Sequence, residues 1–160
     1  MMQEMTEFYR ELVQHAKGLM SGQAHRIANA ANLSALIFNR LERVNWAGLY
    51  FLEGDTLIVG PFQGQPACVR IEMGQGVCGT AVATRTTQRI ADVHAFEGHI
   101  ACDPVSRSEL VVPLVLHDQI IGVLDIDSPE IDRFTRQDQT GIEALARVYV
   151  DSLGGTTSTN

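Results

Sequence analysis

The chain has 160 residues, 45% of them hydrophobic and 19% charged. That is one domain of ordinary globular composition, long enough to bury a core without disulfides or structural metal and too apolar for disorder. A net charge of −7, with Lys17 the only lysine, argues against a nucleic-acid partner, and the absence of any run of about 20 apolar residues argues against a membrane-spanning helix. Residues 1–10 lack the basic-then-apolar order of a secretory leader. The expected compartment is therefore the cytoplasm, where thiols stay reduced and three cysteines do not make a structural disulfide framework.

The first 44 residues read as two helices. Phe8, Leu12, Val13, Ala16 and Met20 recur at helical spacing, Ser21-Gly22 interrupts, and Ile27, Ala30, Ala31, Leu33, Ser34, Leu36 and Ile37 follow with mixed three- and four-residue steps. The pair resembles an αα-hairpin whose apolar faces need a cover, from each other or from a second subunit. The period then changes. Residues 44–52 are β-branched and aromatic, Glu53-Gly54-Asp55-Thr56 signals a turn, and 57–62 is a returning strand. A loop at 63–68, a short strand at 69–72, a glycine turn at 74–76, a small-residue helix at 77–84 and a short strand at 88–91 come next. Residues 92–103 have no period and form a long loop, a feature often tied to function. Residues 109–116 and 120–127 form a hairpin around His117-Asp118-Gln119, with Pro113 marking an edge or a bulge. A closing helix over 134–153 starts with Thr135 and Asp138 at capping-box spacing. The expected fold class is α+β: one domain over 1–153, an antiparallel sheet with the N- and C-terminal helices on one face, and a disordered tail at 154–160.

Chemistry-bearing residues concentrate in a few segments. Cys102 lies in DVHAFEGHIACDPVSRSE with His94, Glu97, His99, Asp103, Arg107 and Glu109 around it. A nucleophilic cysteine needs thiolate near neutral pH, and a neighbouring imidazolium, guanidinium or helix N-terminus supplies it. His94, His99 and Arg107 are the candidates. The plainer alternative is a small buried residue beside Ile100 and Ala101. Cys78, in GQGVCGTA, is either a small packing residue or a thiol favoured by a helix start. Cys68, on a loop near Pro66, is placed to attack a sulfenic acid formed elsewhere. His94, His99, Cys102 and Cys78 also contain zinc ligands, but the paired C-x2-4-C spacing is missing.

Asp125 and Asp127 lie two apart on a strand, on the face opposite Leu124 and Ile126. Like charges there cost stability unless a cation offsets them or one stays protonated to serve as an acid; a solvated strand end is the alternative. A turn centred near Asp118 pairs residues whose numbers sum to about 236, which sets Glu109 opposite Asp127. Trp46 and Tyr50 share a strand face and either wall a pocket or fill the core. The glycines at 74, 76 and 79 make no phosphate loop, because G-x4-G-K-[ST] and a nearby lysine are absent.

The segments NWAGLYFL, GQGVCGTA, DVHAFEGHIACD, SRSELVVPL and GVLDIDS closely resemble the free methionine-(R)-sulfoxide reductases, GAF-domain enzymes that act on the free amino acid. The resemblance runs from about residue 45 to 153 and rests most specifically on the Cys68/Cys78/Cys102 set with HIACD. It implies that Cys102 is the catalytic thiol, Cys68 the resolving thiol and Cys78 a possible alternate partner. It implies that Glu109, Asp125 and Asp127 bind the ammonium group and the sulfoxide oxygen, and that Trp46 and Tyr50 line the pocket for the methyl end. It further implies a dimer without cofactor or metal, regenerated by thioredoxin. Two rival readings are a ligand-sensing GAF domain without turnover and a peroxide-reactive thiol protein, for which the carboxylates would have no use.

Overall fold

The computed structural model describes residues 5–100 and 102–155. Most of the expected tail, 156–160, lies outside the described residues, as do residues 1–4. The elements run α1 (Glu7–Met20), α2 (Arg26–Arg40), β1 (Trp46–Glu53), β2 (Thr56–Gly64), β3 (Arg70–Glu72), α3 (Gly76–Thr84), β4 (Gln88–Ile90), β5 (Ser108–Leu116), β6 (Gln119–Ser128) and α4 (Arg136–Val150). The strands form one antiparallel sheet in the order β3-β2-β1-β6-β5-β4. Among the described residues no helix is long and apolar enough to cross a membrane.

Strand periodicity sends alternate side chains to opposite faces. Ala47, Leu49, Phe51, Leu110, Val112, Leu114, Leu124 and Ile126 enter a large core under α1, α2 and α4. Trp46, Tyr50, Val111 and Val123 enter a smaller core on the other face, closed by Val77, Cys78, Ala81 and Val82 of α3. The terminal helices thus share one face, as expected, and α3 covers the other together with the loops that carry Cys68 and Cys102.

Helix α1 buries Tyr9, Leu12, Val13, Ala16 and Met20, while Phe8 stays 38% exposed. The sequence reading assigned Phe8 to this stripe. Tyr9 takes the place because its ring packs on α4 at Gly141 and its hydroxyl donates to Asp138 Oδ1 at 2.7 Å. A Cβ at Gly141 would lie 2.1 Å from that ring, so the close approach requires glycine there. In α2, Ile27 and Ala31 also point outward. The expected mutual cover of α1 and α2 is minor: α1 packs chiefly on α4 and α2 on β1 and β2. Helix α2 starts at His25, whose Nδ1 accepts from the backbone N–H of Ile27 and Ala28. The capping box of α4 forms, with Thr135 Oγ1 accepting from Asp138 N and Asp138 Oδ2 accepting from Thr135 N.

The β5–β6 register follows the sum rule from Ser108↔Ser128 to Leu114↔Gly122, then shifts at Val115. Pro113 pairs with Val123 of β6, but β4 reaches only Val111 on the other side. Its missing N–H therefore falls where β5 is an open edge, and a bulge follows one residue later.

Candidate active site

The hairpin register sets Glu109 beside Asp127, and on the other side of β6 Trp46 pairs with Asp127 and Gly48 with Asp125. Glu109, Asp125, Asp127, Trp46 and Tyr50 consequently lie on the face covered by α3. The three carboxyl side chains are 7%, 5% and 8% exposed. They line a cavity of about 40 Å³ with Cys78 and the two aromatic rings. A cavity that size holds water but not an amino acid without opening.

Burial pushes the Glu109 carboxyl well above the usual carboxylate range, and the charges of Asp125 and Asp127 add to it. Burial does the same to Asp127, with Asp125 next in effect. Asp125 is also raised by burial, but hydrogen bonds from Glu109 and Cys78 pull it back. Carboxyls this close share their protons as a group. Asp125 Oδ1 is fully buried without a hydrogen-bond partner. A buried acceptor left open in an acidic cluster suits a cationic donor such as an ammonium group.

The thiols divide. Cys68 and Cys102 form a disulfide, with an S–S distance of 2.02 Å and Cα atoms 5.3 Å apart across 34 residues of sequence. Cys78 is free and 4% exposed. Burial pushes its thiol well up, with Asp125, Glu109 and Asp127 adding to the effect, so it stays protonated. Cys102 borders the cavity, which puts one sulfur of the disulfide on the wall that the three buried carboxyls also line.

A sequence profile of the GAF domain family matches residues 7–150. The chain belongs to the GAF domain family. It is 58% identical to the free methionine-R-sulfoxide reductase of Escherichia coli over 140 residues, covering 88% of this chain and 85% of that protein. Its fold superposes with a TM-score of 0.90 on the reduced-form fRMsr structure of Staphylococcus aureus, at 50% identity over 96% of this chain and 99% of that one. It superposes with a TM-score of 0.89 on free methionine-R-sulfoxide reductase from Neisseria meningitidis in complex with its substrate, at 34% identity over 97% and 95%. The fold and the family resemblance expected from the sequence both hold.

In this GAF domain the aromatic wall also anchors the Cys68 loop. Trp46 stacks on Phe62 at 5.1 Å and on Tyr50 at 5.8 Å. Trp46 Nε1 donates to the Gln65 carbonyl at 3.0 Å, and the Tyr50 hydroxyl donates to the Cys68 carbonyl at 3.2 Å. Gly48 lets this wall close: a Cβ there would lie 2.3 Å from Phe62 Cβ and 2.8 Å from the Trp46 ring.

Of the three residues expected to activate Cys102, only His99 lines the cavity. His94 and Arg107 are exposed and take no part in that lining. Burial, then the neighbouring His94, lowers the His99 pKa below its ordinary value, so its imidazole is neutral at pH 7. Of the zinc-ligand types that the sequence offered without the paired spacing, Cys102 is bonded to Cys68 and presents no thiolate in this structure. Among the described residues the group that brings metal-type donors together is Cys78, Glu109 and Asp125, within 4.8 Å of one another.

Sequence reasoning gave no role to Asn45, Asp103 or Ser106. Asn45 Nδ2 donates to Asp103 Oδ2 at 3.0 Å and to Ser106 Oγ at 3.1 Å. This tie fastens the Cys102 loop to the start of β1. Pro66, Ala67, Ile71, Gly76, Val77 and Ile100 complete the apolar lining. The adjacency of Asn45 to the aromatic strand was the available signal, but nothing in the spacing tied it to a loop 58 residues away.

Proposed function

We propose that this GAF domain reduces free L-methionine-(R)-sulfoxide to methionine. The reading is carried by one observation: the Cys68–Cys102 disulfide borders a cavity lined by three buried carboxyls. Its support comes also from relatives named for that activity, two of them seen with substrate.

The substrate ammonium group sits among Glu109, Asp125 and Asp127, where charge-assisted hydrogen bonds and the open Asp125 Oδ1 receive it. A peptide nitrogen carries no charge, which restricts the site to the free amino acid. Trp46 and Tyr50 pack against the methyl end. Cys102 thiolate attacks the sulfoxide sulfur while a carboxyl held protonated by burial, Asp125 or Asp127, gives its proton to the oxygen. The oxygen ends on Cys102 as a sulfenic acid, and methionine leaves with its sulfur reduced by two electrons. The Cys68 thiol then displaces that oxygen as water and forms the disulfide. A thioredoxin-type dithiol reduces the disulfide by exchange and is itself oxidised. Cys78, the alternate resolving thiol that the family resemblance allowed, is free and buried beside the disulfide, and Cys68 is the resolving thiol of this reading. The chain acts as a dimer in the cytoplasm.

The test is NADPH consumption with thioredoxin and thioredoxin reductase on the free R epimer, the free S epimer and an N-acetylated sulfoxide. Turnover on the free R epimer alone is expected. Ligand binding without turnover, or preference for peroxide, would replace the reading with one of its rivals.

A further inference from the structure

We propose that Cys78 is a positioning residue: its buried thiol is the hydrogen-bond donor that orients Glu109 and Asp125 toward the substrate. The proposal rests on the reductase reading above and deepens it.

The geometry starts from α3. Cys78 lies in the first turn of that helix and faces the sheet, in the smaller core. The Cys78 thiol donates to Glu109 Oε2 at 4.0 Å, long but within sulfur range. A ligand atom of Asp125 lies within 4.8 Å of both. The sulfur thus sits between a carboxyl of β5 and a carboxyl of β6.

The neighbouring carboxyls need donors. Buried acceptors left unpaired cost about 1–3 kcal/mol each, and Asp125 Oδ1 is such an acceptor. The groups facing Cys78 or the cavity beside it are Tyr50 from β1, Glu109 from β5, Asp125 and Asp127 from β6, and His99 and Asp103 from the loop. The Tyr50 hydroxyl is committed to the Cys68 carbonyl, and Asp103 accepts from Asn45. Beside the protons that the carboxyls share among themselves, the Cys78 S–H is the donor that α3 brings to Glu109, with Asp125 in reach. A thiol is suited to that place. It is a weak donor, so it biases the pair toward accepting a cation without competing with the ammonium group for the open oxygen. Its burial among carboxyls keeps it protonated and so poorly reactive toward sulfenic acid or disulfide, which depend on thiolate. Cys78 therefore acts through Glu109 and Asp125 and does not exchange with Cys68–Cys102.

The experiment measures binding of free methionine-(R)-sulfoxide by calorimetry across pH in a Cys102→Ser background, where substrate is held without turnover. Cys78→Ala, Cys78→Ser and Cys78→Val are compared in that background. Val keeps volume without a donor, and Ser keeps a donor. Thermal melts establish that each variant is folded. Ala and Val are expected to weaken binding about fivefold, the worth of one net hydrogen bond. They are expected to move the acid limb of the binding profile to higher pH, because a carboxylate that loses its donor holds its proton more tightly. Ser is expected to restore both. Unchanged affinity and pH profile in the donor-less variants overturns the proposal. So does intact binding combined with a loss confined to thioredoxin-driven cycling in the Cys102-containing protein, which would make Cys78 a resolving thiol. If the Cys102→Ser protein with Cys78 intact binds no sulfoxide, the reductase reading falls and the proposal with it.

Discussion

Glu109 and Asp127 face each other directly across the β5–β6 ladder, 7% and 8% exposed, on the face that carries helix α3. Two carboxyls so placed cannot both ionise without a cation, and burial raises both. The arrangement is costly to an empty protein and favourable to one holding an ammonium group.

That cost has a sign in pH. The folded protein retains protons on Glu109 and Asp127 that the unfolded chain releases in the ordinary carboxylate range. Stability from this source is fully present below the unfolded pKa and is lost as pH rises through the folded values. The ligand-free protein is therefore expected to lose thermal stability on going from about pH 5 to pH 8. Glu109→Gln should flatten that slope by up to one proton, about 1.4 kcal/mol per pH unit. Thermal melts across pH for the two proteins measure it; parallel slopes would remove Glu109 as a group protonated in the folded state.

Cys102→Ser is expected to abolish sulfoxide reduction, since the other sulfur lining the cavity, Cys78, is held protonated by burial among carboxyls. Cys68→Ser should preserve a burst of one methionine per chain and lose thioredoxin-driven cycling. Rapid-quench counting of methionine separates the two. Cycling at the wild-type rate in Cys68→Ser would give the resolving part to Cys78 or to direct reduction.

Asp127→Asn removes one ionisable carboxyl from the ammonium site while nearly conserving shape. A hydrogen bond to a charged group is worth about 1.5–3 kcal/mol, so KM should rise roughly ten- to a hundredfold. Steady-state kinetics on the free R epimer tests this. Equal KM and kcat in the two proteins would exclude Asp127 from substrate binding.

Gly141→Ala would help an isolated helix by about 1 kcal/mol. Here the new Cβ falls 2.1–2.5 Å from three atoms of the Tyr9 ring, and that ring is tethered by its hydroxyl to Asp138. Overpacking costs about 1–3 kcal/mol, and the expected net change is a loss. Urea unfolding measures it; a more stable variant would show that Tyr9 can move freely.

Much of the site was legible because hairpins are local. The tight turn at His117-Asp118 sets the β5–β6 register, and strand period two then places Glu109, Asp125 and Asp127 on one face. Trp46 and Tyr50 follow from the same period on β1. Helix faces were less legible at their ends. Phe8 and Tyr9 differ by one position on α1, and only Gly141 and Asp138 of α4, far along the chain, decide which of the two is buried.

The sequence by itself determined the order of elements, the α+β class, the α4 capping box, the hairpin register and the convergence of carboxyls at one sheet end. These depend on neighbours within a few residues or across one tight turn, where backbone geometry leaves few choices. It also carried the family resemblance, through motifs spread over the chain. The tertiary structure decided what depends on distant segments meeting. It put α3 on the site face with the two loops that line the cavity, and brought Cys68 to Cys102 between those loops. It left Cys78 buried among carboxyls and brought His99, but not His94 or Arg107, into the cavity lining. Loops without periodicity carry no local signal of direction; their course is set by ties such as Asn45 to Asp103 and Tyr50 to Cys68, which exist only once the sheet has formed.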